Sequence, residues 1–398
     1  MLYVIAGLII GPDVLGLLQI GLEDKSVVLL AELTLAVLLF SDAARIDTAT
    51  LRESLSLPTR LLTIGLPLTI LLGTLVTALF LPGISLVEAA LIAAVLSPTD
   101  AALGQAVVSD KRVPVRIRQS LNVESGLNDG LIVPVVAVLI LLEEGEGISA
   151  GELISEVAIE IGLGVAIGAS IGLFMGRLVP WIENQPWMDL EDLRLVAIGG
   201  SLAAFSGVTL IGGNGFITAF VCGLALRHTM GERAAKHTEL AEDAGQIGAS
   251  ATFVLFGALL VVPGFQFFSL PVAICAILTL TVVRMLPVRL SMLGTGLALP
   301  TVAFLGWFGP RGLASMLFGL LLVAERGGES EELFAVVTIV IVASVFLHGM
   351  SSAPGAAAYS RWFEKHGDPE MAEAGEMAET PVRWRGRIGW APRGYSNQ

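Results

Sequence analysis

Residues 93–101 read AAVLSPTDA and interrupt an apolar run that extends from Leu86 to Val108. A run of this length can cross about 30 Å of hydrocarbon. Pro98 lacks an amide hydrogen and disfavours helical geometry at the residue before it, so we expect the helix to break in mid-membrane and to restart at Thr99 or Asp100. Backbone groups freed by a break are tolerated only where protein or a water-filled cavity satisfies them. The stretch predicts a coordinated ion path or, alternatively, a proline kink with a capping aspartate.

The composition of the whole chain indicates a membrane protein. Its 398 residues are 54% hydrophobic and 15% charged, with a mean hydropathy of +0.80, whereas soluble domains carry about 25% charged residues. An ordinary soluble enzyme is excluded, because a globule of this length could not hide so much apolar surface. The net charge of -13 argues against nucleic acid as a partner, since phosphate binding needs a dense basic surface.

Apolar runs between charged clusters predict an all-α polytopic membrane protein with about twelve transmembrane helices. The expected spans are Leu2 to Ile20, Ser26 to Arg45, Leu61 to Leu81, Leu86 to Val108, Gln119 to Leu142, Leu153 to Val179, Leu193 to Leu210, Phe216 to Arg227, Gln246 to Val262, Ser269 to Leu290, Leu297 to Val323 and Leu333 to Ser351. Lys and Arg concentrate in the loops after even-numbered spans, so the positive-inside rule places those loops and both termini in the cytoplasm. We expect a membrane domain over residues 1–352 and a mostly disordered cytoplasmic tail over residues 353–398.

The fifth span carries a dense set of polar residues, NVESGLNDG at 122–130. Glu124 and Asn128 are four residues apart, as are Ser125 and Asp129, so two polar stripes lie side by side on one helix face. Hydroxyl, amide and carboxylate oxygens are hard ligands that suit an alkali cation or a proton, whereas the His and Cys ligands of transition metals are missing. The stripes predict an ion-binding face; a buried structural hydrogen-bond network is the alternative.

A second proline break, GPRG at 309–312, lies in the middle of the eleventh span. Paired interrupted segments in corresponding positions of two halves are typical of inverted-repeat transporters with a site at the crossing. In the tenth span, Arg284 is expected to pair with Glu124 or, alternatively, to extend its side chain to the membrane surface. Asp42, near the end of the second span, is a candidate for ion access or coordination, with a plain interfacial position as the alternative.

A glycine recurs at every fourth position of the sixth span, at Gly164, Gly168, Gly172 and Gly176. Such a stripe forms a smooth helix face that a second helix can approach closely. We expect it to pack against a helix of the same chain, and a dimer face is the alternative.

Together these motifs resemble those of the sodium(potassium)/proton antiporters of the monovalent cation:proton antiporter-1 family. The likeness extends from Met1 to about Ser352. It rests on SPTD at 97–100 and ESGLNDG at 124–130, with further matches in GLIIGP at 7–12, FSDA at 40–43, Arg284 and GPRG at 309–312.

The resemblance implies a homodimer of inverted-repeat protomers, each with a dimerisation domain and a core that contains two unwound crossing helices. It also implies exchange of protons for Na+ or K+, and the Asn-Asp pair marks electroneutral exchange in this family. The roles carried over by position are cation or proton binding by Asp129, a shell completed by Ser125, the Thr99 oxygens and Asp42 and oriented by Asn128, a structural ion pair of Glu124 with Arg284, and half-helix dipoles balanced by Asp100 and Arg311.

Two departures from the family pattern stand out. The family usually has proline after the Thr-Asp pair, where this chain has Ala101, so we expect a looser backbone at the crossing. The family also usually has a further helix before the first span found here. We therefore expect that the chain lacks its start.

The sequence favours secondary transport in a plasma or inner membrane, and we expect neither a cofactor nor enzyme chemistry. Burial penalises a charged carboxylate and a bound cation favours it, so H+ and Na+ or K+ would compete for Asp129. An ion channel or an ion-sensing membrane protein that uses the same site is the alternative, although a channel needs several sites along a pore. An intramembrane hydrolase ranks last, because no paired catalytic aspartates or nucleophilic serine motif is evident.

Overall fold

A computed structural model describes residues 1–21, 24–46, 56–100, 103, 105–108, 110–144, 150–183, 185, 190–326 and 331–366. Every regular element in these ranges is helical. The elements are α1 Leu2–Ile10, α2 Lys25–Ala44, α3 Ser56–Arg60, a π-helical turn Leu61–Gly65, α4 Leu66–Phe80, α5 Leu86–Val95, α6 Gln105–Val108, α7 Val115–Glu144, α8 Ala150–Glu183, α9 Leu190–Thr209, α10 Gly215–Met230, α11 Arg233–His237, α12 Glu239–Leu259, α13 Val261–Gln266, α14 Leu270–Leu280, α15 Val282–Ser291, α16 Leu299–Trp307, α17 Leu313–Arg326 and α18 Glu331–His366.

Each expected apolar span overlaps at least one of these helices, so the all-α prediction is confirmed. Among the described residues, six helices are long and apolar enough to cross a bilayer, and several further apolar helices are shorter. Short helices arise where a span is interrupted. The fourth expected span divides into α5 and α6, and the eleventh into α16 and α17. The tenth divides at Thr281 into α14 and α15, a break that carries no proline and was not predicted.

The C-terminal boundary differs from the expected one. Helix α18 continues through Ser352 and ends at His366, because residues 352–363 still bury one apolar stripe that includes Ala356, Tyr359 and Phe363. The expected tail therefore begins with helix. The rest of that tail, residues 367–398, and the departure at Ala101 lie outside the described residues.

The glycine stripe of the sixth span packs within the chain, as expected. A β-carbon on Gly168 would lie 2.5 Å from the Thr218 carbonyl oxygen, and one on Gly172 would lie 2.3 Å from the Cys222 carbonyl oxygen. Backbones can approach this closely only where side chains are absent. The stripe therefore fixes α8 against α10.

A buried apolar core surrounds the interrupted helices. It joins residues of α2, α5, α12, α17 and α18, among them Leu39, Leu91, Phe256, Leu317 and Val340, which are all at most 1% exposed. Helix α5 packs against both α4 and α7. The two proline breaks are consequently enclosed by protein, which is the condition for non-helical backbone at membrane depth.

Candidate ion site at the helix crossing

The first break follows α5. The helix ends at Val95, and residues 97–100 are buried and non-helical. The Ser97 hydroxyl donates to the Ala94 carbonyl at 2.8 Å, so it satisfies one of the carbonyls left open at the helix end. Thr99 and Asp100 follow, each 4% exposed. The Ser-Pro pair thus ends the helix and delivers two polar side chains to the interior.

The second break lies directly against the first. The Asp100 amide donates to the Pro310 carbonyl at 2.8 Å, and the Leu313 amide donates to Asp100 Oδ2 at 3.1 Å. Leu313 begins α17, and a carboxylate is stabilised at a helix N-terminus. An acidic residue from one broken segment therefore caps a helix of the other.

Arg311 makes the reciprocal contact. Its Nη1 donates to the Ser97 carbonyl at 2.5 Å, just past the end of α5, where a cation is favourable to the helix dipole. Its Nε and Nη2 have no hydrogen-bond partner among the described residues. Its own backbone amide donates to the Ser344 hydroxyl of α18 at 2.6 Å. These reciprocal contacts place Asp100 and Arg311 at the ends of half-helices, which are the positions that the family resemblance implies for them.

Two glycines of the second break leave room for these side chains. A β-carbon on Gly312 would lie 2.3 Å from the Asp100 β-carbon, and one on Gly309 would lie 2.4 Å from Arg284 Nε. Real β-carbons essentially never approach other atoms so closely. The GPRG motif therefore combines a helix break with two positions that have no side chain.

Glu124 and Arg284 form a buried bidentate ion pair. Arg284 Nη1 donates to Glu124 Oε1 at 2.6 Å and Nη2 donates to Oε2 at 2.9 Å. The two side chains are 4–5% exposed. Arg284 Nε also approaches the Gly306 carbonyl, at 3.4 Å, in the last turn of α16. Arg284 thus points into the protein, and the alternative in which it extends to the membrane surface does not hold.

The polar stripes of α7 reach the first break at Ser125, directly after Glu124, and at Asn128, one turn further along the helix. Ser125 Oγ donates to the Thr99 carbonyl at 2.7 Å, and Asn128 Nδ2 donates to Thr99 Oγ1 at 2.7 Å. Asn128 is 1% exposed and Asp129 is 9% exposed. The other amide atom, Asn128 Oδ1, is buried and has no hydrogen-bond donor among the described residues. A buried acceptor oxygen is therefore available on the residue that precedes Asp129 in the chain.

A small cavity of about 10 Å³ adjoins this cluster. Its lining includes Thr99, Asp100, Ser125 and Phe308. This volume is about what one water needs. The cavity beside Thr99 and Ser125 therefore has a volume suited to about one water.

The sequence candidate Asp42 and two further ionisable residues, Glu32 and His348, lie on α2 and α18. Asp42 is half-buried in the last turn of α2, and its carbonyl accepts from the Arg45 amide at 3.1 Å. Glu32 is half-buried on the same helix. His348 of α18 is buried, and its Nδ1 lies 3.2 Å from Ser344 Oγ. The sequence analysis did not predict Ser344. Its position four residues before His348, on the same helix face, is the sequence signal that could have indicated it.

A family model described as "Sodium/hydrogen exchanger, transmembrane" matches residues 1–357. The chain belongs to the sodium/hydrogen exchanger family. The matched segment contains both proline breaks, the polar stripes of α7 and Arg284. This exchanger-family chain is thus a multi-pass membrane protein with an antiporter fold.

Similar proteins are antiporters by name. The K(+)/H(+) antiporter NhaP of Alkalimonas amylolytica is 23% identical over 369 residues, which are 92% of this chain and 62% of the relative. The Na(+)/H(+) antiporter NhaS2 of Synechocystis sp. is 26% identical over 71% of this chain and 51% of the relative. The chain therefore spans between half and two thirds of the length of these relatives.

The sodium proton antiporter MjNhaP1 of Methanocaldococcus jannaschii has a similar structure. It matches with a TM-score of 0.71 at 19% sequence identity, covering 88% of this chain and 92% of that chain. At this identity the match supports a shared fold.

Proposed function

We propose that this chain exchanges protons for Na+ or K+ across a membrane, with Asp129 as the group for which proton and cation compete. The observation that carries the proposal is the buried Asn128 Oδ1, which lacks a donor among the described residues and lies next to Asp129 in the chain. A buried acceptor without a partner is costly. A cation that binds here would give this oxygen its partner.

The surrounding oxygens suit such an ion. The Ser125 hydroxyl, the Thr99 hydroxyl and the carboxylate of Asp129 are hard ligands of the kind that alkali cations accept. Asn128 holds the Thr99 side chain through its amide group, which fixes the orientation of the site. We assign Asp42 to ion access or coordination, as the sequence predicts.

Coupling follows from the competition for one carboxylate. Burial favours the protonated form and a bound cation favours the ionised form, so one species replaces the other. If the core moves across the membrane only when the site is occupied, alternating access converts this competition into exchange. A neutral Asn128 leaves Asp129 as the titrating group of the pair, so one proton leaves for each cation bound and we propose electroneutral exchange.

The setting of the exchanger is also part of the proposal. We place the chain in a plasma or inner membrane, and the basic loops after even-numbered spans support an orientation with those loops and the C-terminal tail in the cytoplasm. The family resemblance supports a homodimer. The names of the similar antiporters support Na+ and K+ as the substrates to test first.

Proteoliposomes loaded with a pH-sensitive dye test the exchange. An inside-acid vesicle should become alkaline when NaCl or KCl is added outside, and empty vesicles should not respond. Cation uptake without proton movement would instead indicate the channel alternative. Adding Li+ in a third arm ranks the ions by the same readout.

A diffusion potential tests electroneutrality. A potential of 100 mV acts with about 2.3 kcal/mol on each elementary charge moved. With Na+ as substrate and a fixed K+ gradient, the final internal pH should be the same with and without valinomycin, which converts that gradient into a potential. An end point that shifts with the potential would show that a second group titrates, with Asp100 the first candidate.

A further inference from the structure

An open groove of about 590 Å³ runs between α16 and the C-terminal part of α18. Pro300, Phe304 and Trp307 line one wall, and Ala358, Tyr359 and Trp362 line the other. The volume lies within the roughly 300–1,000 Å³ of typical small-molecule sites. The groove lies outside the ion site.

Two aromatic residues of this groove direct their polar atoms to partners in the protein. The Tyr359 hydroxyl is hydrogen-bonded to Thr301 Oγ1 at 3.0 Å, and Trp307 Nε1 donates to Ser351 Oγ at 3.0 Å. Their polar atoms are thus satisfied by the protein. The rings of Phe304 and Tyr359 stack with centroids 4.1 Å apart. The surface that remains fits a hydrocarbon and offers few groups to a polar ligand.

The end of the groove at Trp362 is cationic. Lys365 is seven residues after Ala358, two helical turns along the same face of α18, and Arg361 lies one turn before Lys365. Both side chains are exposed. Glu364, three residues after Arg361, is a neighbour on the same helix, and its charge also acts on Arg112, so this end carries two positive charges and one negative charge.

We propose that this groove binds an acyl chain of an anionic phospholipid, whose phosphate lies at Lys365 and Arg361. Residues Glu332–His366 form one candidate membrane-spanning helix, and the groove opens on the surface of its C-terminal part, which we place at the boundary of the lipid chains. Trp and Tyr favour the boundary between hydrocarbon and headgroups. Basic residues just beyond that boundary attract anionic headgroups. Carbon walls, an aromatic rim and a basic end follow one another in this order along α18.

The lipid would also adjoin the ion site. Phe308 lines both the groove and the small cavity that includes Thr99 and Asp100. Its side chain is therefore the wall between the bound hydrocarbon and the crossing.

Native mass spectrometry of the full chain in detergent tests the binding without any transport assay, so its failure is distinguishable from failure of the exchange. Phosphatidylglycerol and phosphatidylcholine of equal acyl length are the probes. Since each of the two basic residues contributes on the order of 1 kcal/mol near a membrane surface, phosphatidylglycerol should bind about thirtyfold more tightly. The double variant Arg361→Gln with Lys365→Gln, which changes exposed residues only, should remove this preference. Arg233→Gln with Lys236→Gln on α11 is the matched control and should keep it.

Filling the groove gives the second arm. Ala358→Trp should reduce the adducts of both lipids, whereas Met350→Trp, which adds the same ring at an exposed position of α18 outside the groove, should not. Equal adducts in the two variants would overturn the proposal. Adducts that appear only after removal of residues 367–398 would overturn it in favour of the tail as occupant. Loss of the dimer mass in Ala358→Trp alone would overturn it in favour of a second copy.

Discussion

Two polar regions of α7 lie one turn apart and differ in how completely they are paired. Glu124 meets Arg284 with both carboxylate oxygens bonded at 2.6 and 2.9 Å. Asn128 Nδ2 donates a hydrogen bond to Thr99 Oγ1, whereas Asn128 Oδ1 accepts none from the described residues. A closed pair holds helices together, whereas an acceptor without a donor remains free to bind a ligand. A single helix thus carries a structural ion pair at Glu124 and, one turn away, the proposed ion site at Asn128.

The largest effect is expected at the open region. Asp129→Asn should abolish cation-driven proton flux in vesicles, because it removes the carboxylate at nearly constant volume. Thermal unfolding in detergent should be unchanged within about 1 kcal/mol. Asp243→Asn, at an exposed position of α12, is the matched control and should transport normally. Retained flux in Asp129→Asn would remove Asp129 from the site.

Breaking the pair of Glu124 and Arg284 should mainly lower the free energy of unfolding. Arg284→Gln leaves the Glu124 charge buried without its partner, which costs about 3–5 kcal/mol of unfolding free energy. Arg194→Gln breaks an ion pair with Glu239 whose side chains are 31% and 53% exposed, and it should cost at most about 1 kcal/mol. Denaturation in detergent compares the two. A stable but inactive Arg284→Gln would assign Arg284 to the ion shell instead of the scaffold.

A smaller effect is expected from disturbing the contact between the two proline breaks. Gly312→Ala places a β-carbon 2.3 Å from that of Asp100, and forcing atoms into a packed interior costs about 1–3 kcal/mol. Gly199→Ala on α9, where no atom lies within 4 Å of the added carbon, should cost nothing. Both are measured by the unfolding midpoint. Equal midpoints would mean that the two breaks can separate without strain.

The smallest effect lies outside the membrane-spanning segments, at His237 of α11. Burial lowers the pKa of His237, although the Glu183 carboxylate at 3.8 Å opposes the shift. The unfolded chain therefore binds a proton more readily than the folded one below the ordinary pKa of about 6.5. Stability should be unaffected above that pH and should decline as the pH falls through it.

The variant His237→Gln tests this pH dependence. It should lose the acid-dependent decline, and His228→Gln at an exposed position should retain it. Unfolding followed between neutral and mildly acidic pH shows the difference. An unchanged slope in His237→Gln would place the responsible proton on another group.

The sequence determined the helical fold, the positions of the two proline breaks and the identity of the polar set. Composition dictates lipid as a solvent, proline dictates where a helix ends, and spacing by four places Ser125 and Asp129 on one face. Glu124 and Arg284 could be paired from sequence because an ionised side chain inside a membrane needs a partner.

Only the tertiary structure decided which backbone atoms complete the crossing. Arg311 binds the Ser97 carbonyl, and Asp100 binds the Leu313 amide. Because almost every residue has a backbone carbonyl and a backbone amide, no sequence pattern marks these partners. The break at Thr281, the extension of α18 to His366 and the contact of Ser344 with Arg311 also depend on packing between segments far apart in the chain. Local chemistry fixes where a helix can stop, and the neighbouring helices decide what its free ends bind.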